Sequence, residues 1–470
     1  MPKNILIFSD GTGQAGGLRP DQRLSNVYKL YRATRPGPDN VDIDPTEQVA
    51  FYDPGLGTIS DARGIQLSAL QRLMSVFGQA TGMGITDNIV DCYAAVLKYY
   101  RPGDRICIFG FSRGAYTARC VANVIRLCGV PTTDGKGGSL PTDGPDLREI
   151  AKEAVIHVYE HRFLTANANR VSAQESAAVA FRKKYQSNGS DPGVGNVAPA
   201  FIGVFDTVAA LGVRGRRLAA FVAGLAIAVA LFSLPAALVV RALLYPWISY
   251  GWAALGVFTV AGSLLGLKLF RNRWKLKDYD RSLDFRTGYA RHACAIDETR
   301  ADFPVLGWGH SSDVSQQSRE FGKWFVQMWF AGNHSDVGGS YPEDESRLSD
   351  IALSWMLDEL CACVPEIIVQ GDKLKIWGSP AGIQHCEVQY SKERRGLLKR
   401  IPPWPSSIRS IDPKAKLHAS VLERFTLAEV PHCRKWSLYR PEALRRHDKV
   451  MHHFIDEQVK EVESMPNGSH

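Results

Sequence analysis

A chain of 470 residues, of which 45% are hydrophobic and 22% charged, can bury a large core, so globular structure is expected. Nine cysteines are too sparse and irregular for a disulfide framework, and their odd number favours a reducing compartment. The net charge of +8 is spread along the chain and clusters beside one apolar stretch, which favours a membrane surface and argues against nucleic acid as a partner.

The first predicted element is a β-strand at residues 5–8. A signal peptide is not predicted, because this segment has neither a long apolar core nor a cleavage site behind it. The segment from Asp10 to Gly13 follows it, and its glycines allow backbone N–H groups to approach a bound group closely. Gly11 and Thr12 are therefore predicted to form half of an oxyanion hole, with Asp10 in support. An aspartyl-phosphate phosphatase is disfavoured, because its nucleophilic aspartate would stand where Phe8 does.

The next clear unit is strand-helix-strand. Residues 85–100 place apolar side chains at helical spacing, 102–104 form a turn, and 106–109 read as a buried strand. This alternation predicts an α/β fold, a mostly parallel sheet of the α/β-hydrolase type with helices on both faces.

A nucleophile elbow is predicted directly after that strand. Ser112 stands between Gly110 and Gly114, with a strand before and a helix after, which is the setting that G-x-S-x-G requires. Ser112 is the predicted nucleophile, and the N–H of Arg113 is the other half of the oxyanion hole. The alternative is an ordinary strand-helix turn with a capping serine.

A serine nucleophile needs a histidine base and a carboxylate that orients it. Asp206 follows the predicted strand Phe201–Phe205, and His334 has a similar strand-end, glycine-flanked setting after the apolar run Phe325–Phe330. Asp297 and Asp336 are rival acids, and Asp336 could instead brace the His334 loop. Each residue could also be purely structural, as a turn or capping aspartate or a satisfied histidine.

Two uncharged stretches, 218–240 and 245–267, are each long enough to cross a bilayer. Arginines and lysines flank the pair on both sides, so both flanks are predicted to stay cytoplasmic. The alternative is a buried helical hairpin or lid. The expected organisation is a hydrolase core at 1–213 and 275–365, a transmembrane hairpin at 214–274, and a C-terminal region of unknown role at 366–470.

Several ordered motifs resemble an α/β-hydrolase family that contains the catalytic domain of type VI secretion phospholipase effectors. They are FSDGT at 8–12, SNV at 25–27, YDPGLGT at 52–58, GFSRGAYTAR at 110–119, FDTV at 205–208, RHACAIDE at 291–298 and HSDVGG at 334–339. The resemblance implies a triad of Ser112, Asp206 and His334 and an ester substrate, with a phospholipid acyl ester as the favoured kind.

The combined prediction is a membrane-anchored serine hydrolase whose catalytic domain faces the cytoplasm. Its partners would be a lipid or other ester and the bilayer, and neither a cofactor nor a metal is predicted. Cys361 and Cys363 stand two apart but lack a second pair of ligands. The rival hypotheses are a non-catalytic membrane scaffold and a soluble esterase for non-lipid esters with an apolar lid.

Overall fold

Six strands form one parallel sheet in a computed structural model that describes residues 2–11, 14, 23–37, 40–55, 85–160, 170–190, 193–208, 281–308, 323–393 and 405–454. In chain order these strands are β1 (Asn4–Ser9), β2 (Gln48–Asp53), β3 (Arg105–Phe111), β4 (Phe201–Phe205), β5 (Tyr289–Ala295) and β6 (Phe325–Phe330). They lie in the order β2-β1-β3-β4-β5-β6, with every neighbouring pair parallel. The predicted mostly parallel sheet is confirmed.

Helices connect these strands. Within the described ranges they are α1 (Asn26–Thr34), α2 (Ile85–Tyr99), α3 (Arg113–Cys128), α4 (Pro145–Lys152), α5 (Arg170–Tyr185), α6 (His334–Gly338), α7 (Arg347–Cys363), α8 (Glu387–Glu393) and α9 (Ala419–Thr426). A π-helical segment, Glu153–Tyr159, continues α4, and short 3-10 turns lie at Glu343–Glu345, Gly371–Lys373 and Glu442–Leu444. Two short antiparallel strands, β7 (Val430–His432) and β8 (Lys435–Ser437), form a separate hairpin.

Both faces of the sheet are buried. Leu6 and Phe8 of β1 belong to a core cluster that also contains residues of α1 and α7. Ile5 and Ile7 alternate with them and are equally buried, so they face the other side. The helices α2 and α3 also pack against β1. Continuous apolar strands of this kind are expected where a parallel sheet is covered by helices on both faces.

The C-terminal region packs on the β6 edge of the sheet. Trp329 of β6 donates its N–H to Lys416 O (2.9 Å) and accepts from His418 N (3.0 Å), so residues 416–418 extend the edge. A second apolar cluster joins β5 and β6 to this region, through side chains such as Trp329, Val421 and Phe425. Residues 405–454 are therefore part of the folded core.

The predicted hairpin at 214–274 lies outside the described residues. All described residues belong to one compact unit, within the ranges Met1–Arg162, Asn169–Ala210 and Asp280–His470. Among those residues, no helix combines the length and the hydropathy that crossing a bilayer requires.

Candidate active site

Ser112 occupies the turn between β3 and α3. Its backbone has φ 60° and ψ −120°, a conformation that residues with a Cβ atom rarely adopt, at the N-cap of α3. The Ser112 N–H donates to Phe205 O at the end of the adjacent strand β4 (3.1 Å). The strand, the strained serine and the helix together form the arrangement of a nucleophile elbow.

Two glycines allow the elbow to pack tightly against β1. A Cβ added to Gly110 would lie 2.3 Å from Gly114 O, and one added to Gly114 would lie 2.1 Å from Ser9 O. Real Cβ atoms do not approach backbone oxygens so closely, so any larger residue at either position would displace the start of α3. The close packing thus fixes Ser112 at the carboxyl edge of the sheet.

Asp206 lies at the end of β4, fully buried and with φ 37°. Its Oδ2 lies 2.6 Å from His334 Nδ1, and its Oδ1 accepts from the Ala295 N–H at the end of β5 (2.9 Å). Burial alone would raise the pKa of Asp206, but the charge of Arg409 and the hydrogen bonds from His334 and Arg409 outweigh burial and hold that pKa well below its ordinary value. Asp206 is therefore an ionised carboxylate.

His334 is the first residue of α6, and its imidazole is buried between aromatic rings. The ring centroid of Phe111 lies 4.7 Å from that of His334, and the ring of Phe303 meets it edge-on at 5.2 Å. Burial lowers the pKa of His334 and outweighs the attraction of Asp206. An ionised Asp206 beside Nδ1 keeps the proton on that nitrogen, which leaves Nε2 of the neutral ring as a proton acceptor.

The structure separates the three candidate acids. Asp206 contacts the His334 imidazole, whereas Asp297 accepts from Gly332 N (2.7 Å) and Tyr439 Oη (2.9 Å). Asp336 accepts from Asn333 N (3.0 Å), within a reciprocal cap of α6. It also lies 2.7 Å from His385 Nδ1. Asp336 thus braces the loop that carries His334.

The loop after β1 meets the elbow. A Cβ added to Gly11 would lie 3.4 Å from the Cβ of Ser112, so this backbone passes beside the serine. The Gly11 N–H donates to Asp10 Oδ1 (2.7 Å), so it would have to leave this carboxylate before it could contact an oxyanion. Thr12 lies outside the described residues, and Arg113 is the first residue of α3.

Asp10 is buried behind that loop. It accepts hydrogen bonds from Ser25 Oγ (2.5 Å) and Tyr52 Oη (2.7 Å). Burial raises the pKa of Asp10 to about 6, and these hydrogen bonds only partly oppose the rise. Asp10 therefore organises the start of α1 and the loop after β1, since Ser25 is the N-cap of that helix.

One residue at the site was not predicted from the sequence. Arg409 donates through Nη1 to Asp206 Oδ1 (2.7 Å) and through Nη2 to Asp206 Oδ2 (2.9 Å). The two residues are 203 positions apart, and the surroundings of Arg409 in the sequence carry no recognisable motif. A pairing at such a distance leaves no local signal in a single sequence.

A parallel sheet with a strained serine after its third strand, and an aspartate-histidine contact at the same edge, defines an α/β-hydrolase-like protein. The chain belongs to the family described as "T6SS, Phospholipase effector Tle1-like, catalytic domain", which matches residues 3–359. The resemblance that the motifs indicate is confirmed.

One curated relative is the uncharacterized protein YEL023C of Saccharomyces cerevisiae. The two chains are 27% identical over 424 residues, which cover 76% of this chain and 56% of the yeast protein. The chain thus spans little more than half the length of that relative.

Three solved structures resemble the chain distantly. An uncharacterized protein from Pseudomonas aeruginosa is 17% identical with a TM-score of 0.37, over 78% of this chain and 46% of that one. The Tle1 effector bound to the VgrG spike of the type 6 secretion system is 17% identical with a TM-score of 0.30, over 74% and 53%. The RedJ thioesterase of Streptomyces coelicolor is 13% identical with a TM-score of 0.31, over 76% and 91%. Similarity at this level carries no functional argument.

Proposed function

We propose that this chain is a serine hydrolase that cleaves carboxylic esters, with phospholipid acyl esters as its substrates. The observation that carries the proposal is the 2.6 Å contact between His334 Nδ1 and Asp206 Oδ2, at the sheet edge where the elbow holds Ser112. Membership of a family described as a phospholipase effector catalytic domain supports a lipid ester as the substrate.

The proposed reaction is acyl transfer through a serine ester. His334 Nε2 takes the proton of the Ser112 hydroxyl while the serine oxygen attacks the ester carbonyl carbon. Asp206 stabilises the imidazolium that forms, and this imidazolium then protonates the departing alcohol. Water, activated by His334 in the same way, attacks the acyl-enzyme and releases the carboxylic acid.

The negative charge of the tetrahedral intermediate requires backbone donors. The N–H of Arg113 suits this role, because Arg113 is the first residue of α3 and lies at the positive end of the helix dipole. Gly11 and Thr12 are the proposed donors from the loop after β1. For Gly11, this role requires its N–H to exchange Asp10 for the oxyanion.

Membrane attachment is the second part of the proposal and rests on the sequence. The stretches 218–240 and 245–267 carry no charge, and basic residues flank the pair. An enzyme anchored by this hairpin, with its catalytic domain on the cytoplasmic side, would meet lipid esters in the adjacent leaflet.

Replacement of the nucleophile tests the hydrolase proposal. Ser112→Ala should abolish labelling by a fluorophosphonate probe and lower the turnover of phospholipid esters by up to ~10⁶-fold, because no other group attacks the carbonyl. The measurements are gel detection of the probe and release of fatty acid from mixed vesicles.

Ser349→Ala is the matched control. It removes a buried serine hydroxyl that donates to Ser346 O at the N-cap of α7, and it should retain both labelling and turnover. Turnover that persists in Ser112→Ala, or labelling that disappears equally in both variants, would refute Ser112 as the nucleophile.

A further inference from the structure

Arg409 comes from a part of the chain that the family match does not reach, since that match ends at residue 359. The strand-like segment that carries it is fixed by backbone pairing. Ala301 N donates to Pro405 O (2.9 Å), and Ser407 N donates to Thr299 O (2.8 Å). This pairing directs the Arg409 side chain into the interior, where it is 9% exposed.

The guanidinium is held by four hydrogen bonds. Two go to the two carboxylate oxygens of Asp206, and two go to the backbone oxygens of Ala295 (2.7 Å) and Phe303 (2.9 Å). A planar guanidinium bound to both oxygens of a carboxylate fixes the plane of that carboxylate. The Asp206 carboxylate also accepts from the Ala295 N–H on Oδ1 and contacts the His334 imidazole on Oδ2.

We propose that Arg409 is a positioning residue for the proposed hydrolase centre: it sets the orientation of the Asp206 carboxylate, and its charge offsets part of the attraction between that carboxylate and a His334 imidazolium. The inference rests on the proposed function for its catalytic meaning. The contact itself is independent of any substrate. The inference also assigns a role to the C-terminal region, because Arg409 lies outside residues 3–359, which the family match covers.

The electrostatic effect follows from the geometry. An unshared carboxylate beside Nδ1 would stabilise an imidazolium strongly, but a cation paired with that carboxylate cancels part of the attraction. Other charged or titratable groups also face the pair. These are His292 and Cys294 of β5, Glu298 and Arg300 of the loop after it, and Arg119 of α3. Among them, none that the structure describes binds both oxygens of Asp206 as Arg409 does.

Removal of the guanidinium should therefore change three quantities together. In Arg409→Met the imidazole of His334 should titrate about one pH unit higher than in the wild type, because Asp206 loses its compensating cation. On the acidic side of the pH profile, the pH at which fluorophosphonate labelling is half-maximal should rise by the same amount. The maximal labelling rate should fall roughly 10²-fold because the orientation of Asp206 is lost. Half-saturation by a lipid ester should stay unchanged, since Arg409 does not reach the substrate.

Two further variants separate positioning from general loosening. Arg409→Lys keeps the charge but loses the bidentate hydrogen bonds to Asp206. His334 should therefore titrate near its wild-type value, while the labelling rate should lie between those of Arg409→Met and the wild type. Arg424→Met removes another buried C-terminal arginine, which donates to Gly382 O, and should leave the His334 titration unchanged. His334 is followed by NMR on ring-labelled histidine, with His334→Gln to assign the signal.

The inference is overturned if His334 titrates identically in the wild type and Arg409→Met, or shifts equally in Arg424→Met. If Arg409→Met fails to fold, Arg409→Lys provides the test. A labelling rate of Arg409→Lys equal to that of the wild type would overturn the role of the bidentate contact. One outcome separates the two proposals. If the His334 titration shifts in Arg409→Met as expected, but the wild-type protein is not labelled at Ser112, the inference is supported and only the hydrolase proposal is contradicted.

Discussion

Asp206 shares one carboxylate between an imidazole and a guanidinium. Its Oδ1 accepts from Arg409 and from the Ala295 N–H, and its Oδ2 accepts from Arg409 and from His334 Nδ1. The carboxylate is fully buried, so it depends on these donors for its negative charge. At this scale, the structure distinguishes Asp206 from Asp297, which the sequence alone leaves as a rival.

Asp206→Asn is expected to impair both reaction and folding. The NH2 group of an asparagine would face two hydrogen-bond donors whichever way the amide is turned, since each oxygen of Asp206 accepts two hydrogen bonds. Turnover should therefore fall by on the order of 10³–10⁴-fold as the imidazole loses its orientation. The unpaired Arg409 should lower the free energy of unfolding at pH 7 by about 3–5 kcal/mol. Urea unfolding and ester turnover measure the two effects.

The pH dependence of this variant gives a further check. The pKa of Asp206 is lower in the folded protein than its ordinary 3.8, so its stabilising contribution is present above that value and is lost as the pH falls through the folded-state pKa. The stability difference between wild type and variant should therefore shrink below about pH 4. A difference that stays constant down to pH 2 would mean that the Asp206 charge does not cause it.

At the scale of the elements, the junction of β3 and α3 is tightly packed. Gly114 would place a Cβ 2.1 Å from Ser9 O and 2.5 Å from Asp10 O, and both oxygens belong to backbone that cannot move independently. Gly114→Ala should thus lower the free energy of unfolding by about 3 kcal/mol or more and displace Ser112.

Gly371→Ala is the control for this substitution, because nothing lies within 4 Å of a Cβ at that position. Its effect on urea unfolding should remain within about 0.5 kcal/mol. A Gly114→Ala protein that unfolds like the wild type and labels at the wild-type rate would show that close packing at the elbow is dispensable.

The strands differ in how readily the sequence predicts them. Residues 5–8, 106–109 and Phe201–Phe205 are apolar throughout and coincide with buried strands. β5 is buried from Ala290 to Ala295 but contains Arg291, whose Nε binds Glu359 of α7 at 2.5 Å. This charge interrupts the apolar pattern that is typical of a buried strand. Its partner lies 68 residues away, so the local sequence of β5 does not reveal the ion pair that allows the charge to be buried.

At the scale of the whole molecule, the positions of Ser112, Asp206 and His334 follow from a rule that sequence can use. Residues that end neighbouring parallel strands collect at one edge of the sheet. The same rule offers no access to Arg409, which enters from a segment beside residues 299–301 and ends no strand of the sheet. The residues at strand ends were predictable for this reason, whereas the contact of Arg409 with Asp206 is apparent only in the three-dimensional structure.

Membrane attachment is tested on the intact protein. The full chain should remain in the membrane pellet after alkaline carbonate extraction, since two apolar helices in the bilayer do not depend on charge for their attachment. A variant in which a Gly/Ser linker replaces residues 214–274 should be released into the supernatant and still label at Ser112. Release of the full chain by carbonate would contradict the anchor, and would favour a lid.

The backbone pairing of residues 416–418 with Trp329 and the insertion of Arg409 beside Asp206 bear on where this protein can be cut. A fragment ending at residue 359 would retain the serine, the aspartate and the histidine, yet it would expose an unpaired sheet edge and leave a carboxylate without its counterion. We therefore expect the smallest fragment that folds on its own to extend past residue 359, where the family match ends, and to include residues 405–454.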